Sequence, residues 1–341
     1  MPAADLPPRT PRGADQLLVG VDIGGTSIKL GLITAAGELV ARSSLPTQAS
    51  QGPAAAIRRI AETLRTMLAD SAISPDDLRC VGLGAPGRID AELGTIDAPA
   101  NLAGWAGFPF CDAFLQQFGR PARLFNDATA AAYGEFWVGV GRPFRSIVLL
   151  TLGTGVGGGV IVDGRPLTGE HGFGAELGHV LVAYNDQARL CSCGQRGHLE
   201  AYAGASAVVM RTREALARGR CSSLVQRIDA GEQLSPALIA DEAQQGDVLA
   251  RQMVFETASL IGVGVATALH AFDPGIVILG GAMTFGGAAS ELGRWFIETV
   301  REEARRRALA PLVATPIEFA TLGGDAGLIG AAGLARDFDK I

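Results

Sequence analysis

Two stretches of the chain share one plan, and that duplication constrains the fold more than any other feature. Residues 17–40, LLVGVDIGGTSIKLGLITAAGELV, run as an apolar β-rich segment, a Gly-Gly-Thr break, a second apolar segment and an Ala-Ala-Gly turn. This order predicts a strand, a tight turn, a strand and a further turn. Residues 146–169, SIVLLTLGTGVGGGVIVDGRPLTG, repeat the plan with GTGVGGG as the break. Repetition at an offset of about 130 residues predicts two lobes of like topology facing each other across a cleft. A length of 341 residues, more than one core usually serves, agrees with this.

The remainder alternates helix and strand. Residues 53–70 put Ile57, Ile60, Leu64, Met67 and Leu68 on one helical face with Pro53 near the start, and Cys80 to Gly84 reads as the next strand. Ala122 to Phe125 predicts another strand, ending at Asn126-Asp127. Helices dominate from about residue 201 to 272, Gly275 to Gly280 reads as a buried strand, and a glycine turn opens a small-residue helix at the end. Strand hairpins opening each lobe of such a mixture exclude a Rossmann fold and a barrel. The expected division is a small lobe of residues 17–130 plus 322–341 and a large lobe of residues 131–321. Residues 1–16 read as a disordered lead, whose arginines and prolines without an apolar segment exclude a signal peptide.

Composition narrows the function classes. Apolar residues make up 48% and charged residues 19%, so burial can offset chain entropy without disulfides or metals. Five cysteines, an odd number in a long chain, fit a reducing, cytoplasmic compartment. The most apolar stretch, residues 258–290, is divided by Pro274-Gly275 and Gly280-Gly281 into pieces expected to be too short for a bilayer, so no membrane partner is expected. A net charge of −6 argues against nucleic acid, because phosphate-backbone binding needs clustered Lys and Arg.

Gly24-Gly25-Thr26 and Gly153-Thr154-Gly155 each follow a predicted strand. Glycine lets backbone N–H groups approach phosphate oxygens with no Cβ in the way, and a Thr hydroxyl adds a donor. Either cluster alone reads as a plain hairpin turn, whereas two at equivalent points of a repeat read as paired phosphate cradles. No G-x-x-x-x-G-K-[ST] run exists, which excludes a Walker-type site. Asp127 reads either as a helix N-cap or as a general base at a strand end facing a cleft. Asp22 reads as an inward polar residue bonded to turn amides.

VDIGGTSIK of residues 21–29, GAPG of 84–87, NLAGW of 101–105, FNDATAAAYGE of 125–135, LGTGVGGGVIVDG of 152–164, AELGHV of 175–180, CSCGQRGHLE of 191–200 and two late Gly-Gly segments together carry a resemblance. From about Leu18 to Ala335 the chain resembles the ROK family of sugar kinases and repressors, within the actin and hexokinase-like ATPase superfamily. The resemblance implies an α/β, two-lobed actin/hexokinase-like (ribonuclease H-like) ATPase fold with duplicated βββαβα-type lobes. It implies that Asp127 takes the proton from a sugar hydroxyl as that hydroxyl attacks the γ-phosphate of ATP. Asp22 resembles the residue that orients hydrated Mg2+, beside phosphates held by Gly24, Gly25, Thr26, Gly153, Thr154 and Gly155, with adenine against Gly280-Gly281. Asn101, Asn126, Glu176, His179 and Glu200 match positions that grip sugar hydroxyls, a task suited to groups that bond two vicinal hydroxyls at once. A homodimer is implied by the resemblance alone.

CSCGQRGHLE reads as a metal knuckle, a redox pair, a catalytic thiol or an inert loop. Thioredoxin-like pairs use two intervening residues, which weakens the redox reading. In the resembling kinases a His precedes C-x-C-G-x-x-G-C in a closed zinc site. Here His179, Cys191, Cys193 and His198 form H-x11-C-x-C-x4-H, with His in the last place. Two His with two Cys is a common structural zinc set. The expectation is a structural Zn2+ that orders the sugar loop: one nitrogen of His179 on the metal, the other toward a sugar hydroxyl, and Glu200 fixed near the same hydroxyls.

The leading expectation is therefore an ATP-dependent hexose kinase making glucose 6-phosphate. The alternatives are a kinase for N-acetylmannosamine, N-acetylglucosamine or fructose, with polyphosphate as the rival donor. A sugar-responsive repressor is disfavoured, because the roughly 16 residues before the first strand are too few for a helix-turn-helix module. A non-catalytic sensor is disfavoured by Asp127 and the two glycine loops.

Overall fold

The computed structural model describes residues 17–97, 99 and 102–338. The expected lead of residues 1–16 lies outside the described residues. The chain falls into two compact units, one running up to Val138 and resuming at Asp325, the other spanning Gly139–Gly324.

In the first unit, β1 (Leu17–Ile23), β2 (Ser27–Ile33) and β3 (Leu39–Pro46) form an antiparallel meander. Helix α1 (Pro53–Asp70) follows, then β4 (Leu78–Ala85), the short hairpin β5 (Arg88–Asp90) and β6 (Thr95–Asp97), α2 (Phe110–Phe118), β7 (Arg123–Asn126) and α3 (Asp127–Trp137). The sheet order is β3-β2-β1-β4-β7, with β4 parallel to both β1 and β7. Side chains alternate along β1. Val19, Val21 and Ile23 enter one core with Ile57, Ile60 and Leu64 of α1, all fully buried, each contributing about 1.5–3 kcal/mol. Leu18, Gly20 and Asp22 take the opposite face.

The second unit runs through β8 (Ile147–Leu152), β9 (Val156–Val162), β10 (Arg165–Pro166), α4 (Glu200–Ala203), α5 (Ala205–Ala217), α6 (Leu224–Asp229) and α7 (Pro236–Gln244). It continues with α8 (Val248–Phe272), β11 (Ile276–Gly280), α9 (Glu291–Arg305) and β12 (Ile317–Phe319). The sheet order is β10-β9-β8-β11-β12, with antiparallel pairs on one side of β8 and parallel pairs on the other. This is the arrangement of the first unit, so the duplicated opening in the sequence corresponds to a duplicated sheet.

One sequence expectation is corrected by α8. The apolar stretch was expected to break into pieces too short for a bilayer, but the helix starts at Val248 and runs 25 residues, enough by length and composition to cross one. Its Ile261, Val265 and Leu269 instead join the core of the second unit. The helix ends where Asp273 adopts a left-handed conformation ahead of Pro274.

Helix α10 (Ala326–Asp337) returns to the first unit and covers the Gly20 face of β1. A Cβ on Gly20 would lie 1.8 Å from the Leu328 carbonyl, and one on Gly330 would lie 1.6 Å from the Ala130 carbonyl of α3. Small residues thus let α10 approach sheet and helix at backbone distance. Since α3 packs on α10 along its length, it belongs whole to the first unit; the expected boundary at residue 130 would have cut it.

Candidate functional site

In the first unit, the loop Gly24-Gly25-Thr26 joins β1 to β2 and is closed by the Gly24 N–H donating to the Ser27 carbonyl (3.0 Å). Thr47, fully buried just past β3, grips it twice. Its hydroxyl donates to the Gly24 carbonyl (2.6 Å) and its N–H to the Thr26 carbonyl (2.9 Å). Arg59 of α1 donates in turn to the Thr47 carbonyl (2.5 Å). Spending loop carbonyls on Thr47 leaves loop amides for an anion. The sequence carried no signal for Thr47, whose role depends on a contact made only after folding.

Asp22 ends the Gly20 face of β1 and abuts the first turn of α10, where a Cβ on Gly327 would lie 2.9 Å from the Asp22 carboxyl carbon. Burial, and then the nearby Asp127 carboxylate, push Asp22 up to about 6, against a smaller opposing pull from Lys29. Asp127 opens α3, and Asn126, not Asp127, caps it. Asn126 Oδ1 accepts from the Thr129 N–H (3.0 Å), while its Nδ2 donates to the Gly87 carbonyl (3.1 Å) of the GAPG turn. That leaves the Asp127 carboxylate available for chemistry. Its Oδ1 accepts from the Ala128 N–H (2.8 Å), and burial raises its pKa against that bond. Asn101 lies outside the described residues.

In the second unit, Gly153-Thr154-Gly155 joins β8 to β9. The N-terminus of α5 takes up its carbonyls: the Ala205 N–H donates to Gly153 (2.9 Å) and the Ser206 N–H to Thr154 (3.4 Å). Gly280 ends β11, and Gly281 turns beside β8 with φ +92, where a Cβ would lie 2.3 Å from the Leu152 carbonyl. Only glycine meets both demands at that position. Gly280-Gly281 and the second glycine loop are thereby neighbours.

Glu176 and His179 flank a short 3-10 turn, Leu177–His179, that packs on β9 so closely that a Cβ on Gly178 would meet the Val156 carbonyl at 1.9 Å. Ala175 before it is left-handed (φ +66), a strain of about 1–3 kcal/mol held by the packing. The expected one-turn pairing is present, with His179 Nε2 lying 3.8 Å from Glu176 Oε2. Glu200, at the start of α4, accepts from the Val156 N–H (3.1 Å) and from the Ser192 hydroxyl (2.7 Å).

His179, Cys191, Cys193 and His198 come together with their ligand atoms all within 4.8 Å of one another. The two Nδ1 atoms are 3.2 Å apart, Cys193 Sγ is 3.2 Å from His198 Nδ1, and Cys191 Sγ is 3.8 Å from His179 Nδ1. The edges of a tetrahedron with metal–ligand bonds of about 2.0–2.3 Å measure about 3.3–3.8 Å, near these three separations, so the cluster is compatible with a Zn2+. Burial and the neighbouring His179 lower the pKa of His198, favouring the neutral imidazole that ligates. Because Nδ1 of His179 faces the cluster, its Nε2 is turned toward Glu176.

Two sets of residues are thus assembled. Asp22, the first glycine loop, Asn126 and Asp127 gather in the first unit; the second glycine loop, Gly280-Gly281, Glu176, His179, Glu200 and the Cys/His cluster gather in the second. A sequence model of the ROK family matches residues 18–338. The chain belongs to the ROK family. Among ROK relatives, the glucokinase of Thermotoga maritima is 36% identical over 321 residues, covering 94% of this chain and 97% of that one. The ROK hexokinase of Thermus thermophilus matches in structure with a TM-score of 0.80 at 32% identity, covering 95% of this chain and 99% of its own. A ROK family glucokinase from Streptomyces griseus, crystallised with glucose and AMPPNP, matches with a TM-score of 0.75 at 31% identity, covering 94% and 99%. The ROK fold is the actin/hexokinase-like one that the sequence resemblance implied.

Proposed function

We propose that the chain is an ATP-dependent hexose kinase that phosphorylates glucose at its 6-hydroxyl. The observation that carries this reading is the Asp127 carboxylate, freed from capping by Asn126, raised by burial and close enough to Asp22 to raise it too. A carboxylate with a raised pKa is a stronger base toward an alcohol. In the proposed reaction Asp127 takes the 6-hydroxyl proton, the alkoxide oxygen bonds to the γ-phosphorus, and the β–γ bridging bond breaks to release ADP. With the Gly24 and Gly153 N–H groups closing their own turns, the amides of Gly25 and Thr26 and of Thr154 and Gly155 bind phosphate oxygens, and the Thr26 and Thr154 side chains add hydroxyl donors. Glu176, His179 and Glu200, with Asn101 and Asn126, orient the sugar.

Asp22 would orient the water shell of a Mg2+, whose charge offsets that of the phosphates. His179, Cys191, Cys193 and His198 would hold a structural Zn2+, which fixes the loop between the 3-10 turn and α4. Five free cysteines suit a reducing compartment, so the reading includes a cytoplasmic place, and family membership adds a homodimer.

The test is ADP release across hexoses and N-acetylhexosamines, with ATP and polyphosphate as donors. Glucose with ATP is expected to give the highest kcat/KM. Asp127→Ala is expected to lower kcat by about 10²- to 10⁴-fold while leaving glucose binding measurable by calorimetry. A near-normal kcat in that variant, or no ADP release with any sugar, rejects the reading.

A further inference from the structure

Glu200 holds two donors at once, and they come from different parts of the second unit. On one side the Ser192 hydroxyl, between the two cysteines of the cluster, donates to Oε1 (2.7 Å). On the other the N–H of Val156, the residue after Gly155, donates to Oε2 (3.1 Å). The fit around Oε2 is close, since a Cβ on Gly155 would lie 2.1 Å from it. Ser192 is itself set by a turn in which the Cys191 N–H donates to the Gln195 carbonyl (2.7 Å) and the Gly194 N–H to the Cys191 carbonyl (3.0 Å). An ionised carboxylate binds such donors about twice as strongly as a neutral acceptor does. Held at both oxygens, it keeps one orientation; held at one, it swings.

We propose that Ser192 is a positioning residue that fixes Glu200 and, through it, the second glycine loop, so that the Cys/His cluster governs nucleotide as well as sugar binding. The ligands in this inference rest on the hexose-kinase reading; the relay itself is made of this chain's own atoms. A carboxylate has about four lone-pair sites; the Ser192 hydroxyl and the Val156 N–H take two and Cys191 Sγ makes a weak contact with Oε1 (3.8 Å), so room stays for a sugar hydroxyl on a group already aimed. Removing the Ser192 hydroxyl leaves Oε1 only the weak Cys191 Sγ contact (3.8 Å), lets the carboxylate rotate and slackens its hold on the Val156 N–H. Sugar bound to Glu200 and phosphate bound to the Thr154 and Gly155 amides then share a coupling free energy, and each changes the affinity of the other by the same factor. Ser192 is exposed, so its loss removes no core packing and the fold persists.

The experiment compares the full chain with Ser192→Ala and Ser192→Thr. It reads amide hydrogen exchange at Val156, calorimetric binding of glucose and of ADP, kcat, and metal content. In Ser192→Ala, Val156 exchange is expected to accelerate, glucose affinity to fall about tenfold and ADP affinity about threefold, with kcat at saturation within about twofold. Metal content and Tm are expected to match the wild type, and Ser192→Thr is expected to restore every value. Wild-type exchange at Val156 in Ser192→Ala overturns the relay. Weakened glucose binding with unchanged ADP binding overturns its extension to the nucleotide, and loss of metal reduces Ser192 to part of the knuckle and overturns the proposal. Because the exchange measurement involves neither sugar nor nucleotide, it stands even where the wild type releases no ADP, an outcome that would reject the kinase reading alone.

Discussion

The two glycine loops occupy equivalent places in two sheets of the same order, yet they are held by different means. Thr47, buried beside the first, bonds its carbonyls through a hydroxyl and an N–H and is backed by Arg59. The second is held on its carbonyl side by the start of α5, and on its outgoing strand by Glu200, the carboxylate proposed above to bind sugar. One clamp is made of a hydroxyl and an N–H within its own lobe; the other is made by a carboxylate that, on the proposed reading, is shared with a ligand. Duplicated topology therefore does not bring duplicated control. The first loop is held by one buried threonine, whereas the second is tied through Glu200 to the turn that carries Ser192, the link on which the proposed relay depends.

The strongest way to break this contrast is to remove the metal cluster. Cys191→Ser is expected to lose the bound metal, to weaken glucose binding about 10- to 100-fold and to lower Tm, as read by elemental analysis, calorimetry and thermal scanning. Full glucose affinity without metal would show the second clamp to be as self-sufficient as the first. Thr47→Val sharpens the contrast from the other side by leaving the Gly24 carbonyl without its hydroxyl donor. ADP binding is expected to weaken about 3- to 10-fold with glucose affinity unchanged, and Thr47→Ser to restore it. Equal losses for both ligands would mean that the first loop, too, is coupled to sugar.

The smallest effect concerns Asp22. Its pKa is raised in the folded protein, from 3.8 to about 6, so the fold binds its proton more tightly than the unfolded chain does. The stability this contributes is complete below about pH 4 and is lost as pH rises through about 6. Asp22→Asn removes that loss. Its Tm relative to the wild type is expected to rise between pH 4 and 7, by the equivalent of roughly 1 kcal/mol once the shift is discounted for partial exposure. The gain in stability should accompany a loss of turnover, and a variant destabilised at pH 7 would contradict the assigned burial cost.

Much of this was readable from residue patterns, and what was not has physical reasons. Continuous apolar runs bounded by glycine located the central strands, because burial on both faces removes any alternation, and the helical face of α1 was explicit in Ile57, Ile60 and Leu64. Cys191 and Cys193 were visible because soft ligands at short spacing are rare. Asn126, expected at the sugar, also caps α3 through Oδ1 and holds the Gly87 turn through Nδ2, which leaves one N–H and one lone pair of its amide for a ligand. A cap and a ligand-binding amide look alike in a sequence. Thr47 and Ser192 were missed for a related reason: their importance lies in which distant carbonyl or carboxylate a hydroxyl meets, and no local periodicity encodes that. The start of α8 is not marked within the helical region of residues 201–272, because Arg251, Gln252 and Glu256 in its first turns interrupt the apolar pattern.

Helix α10 carries a consequence for biosynthesis. It leaves the ribosome after every strand of the second unit, but it covers the glycine face of β1, a strand made before any of them. Until it emerges, that face of the nascent sheet stays bare and Asp22 lacks the wall that confines it. The sheet of the first unit must therefore wait for the second unit to be translated before Asp22 acquires its final surroundings, which postpones that acidic site until α10 has emerged.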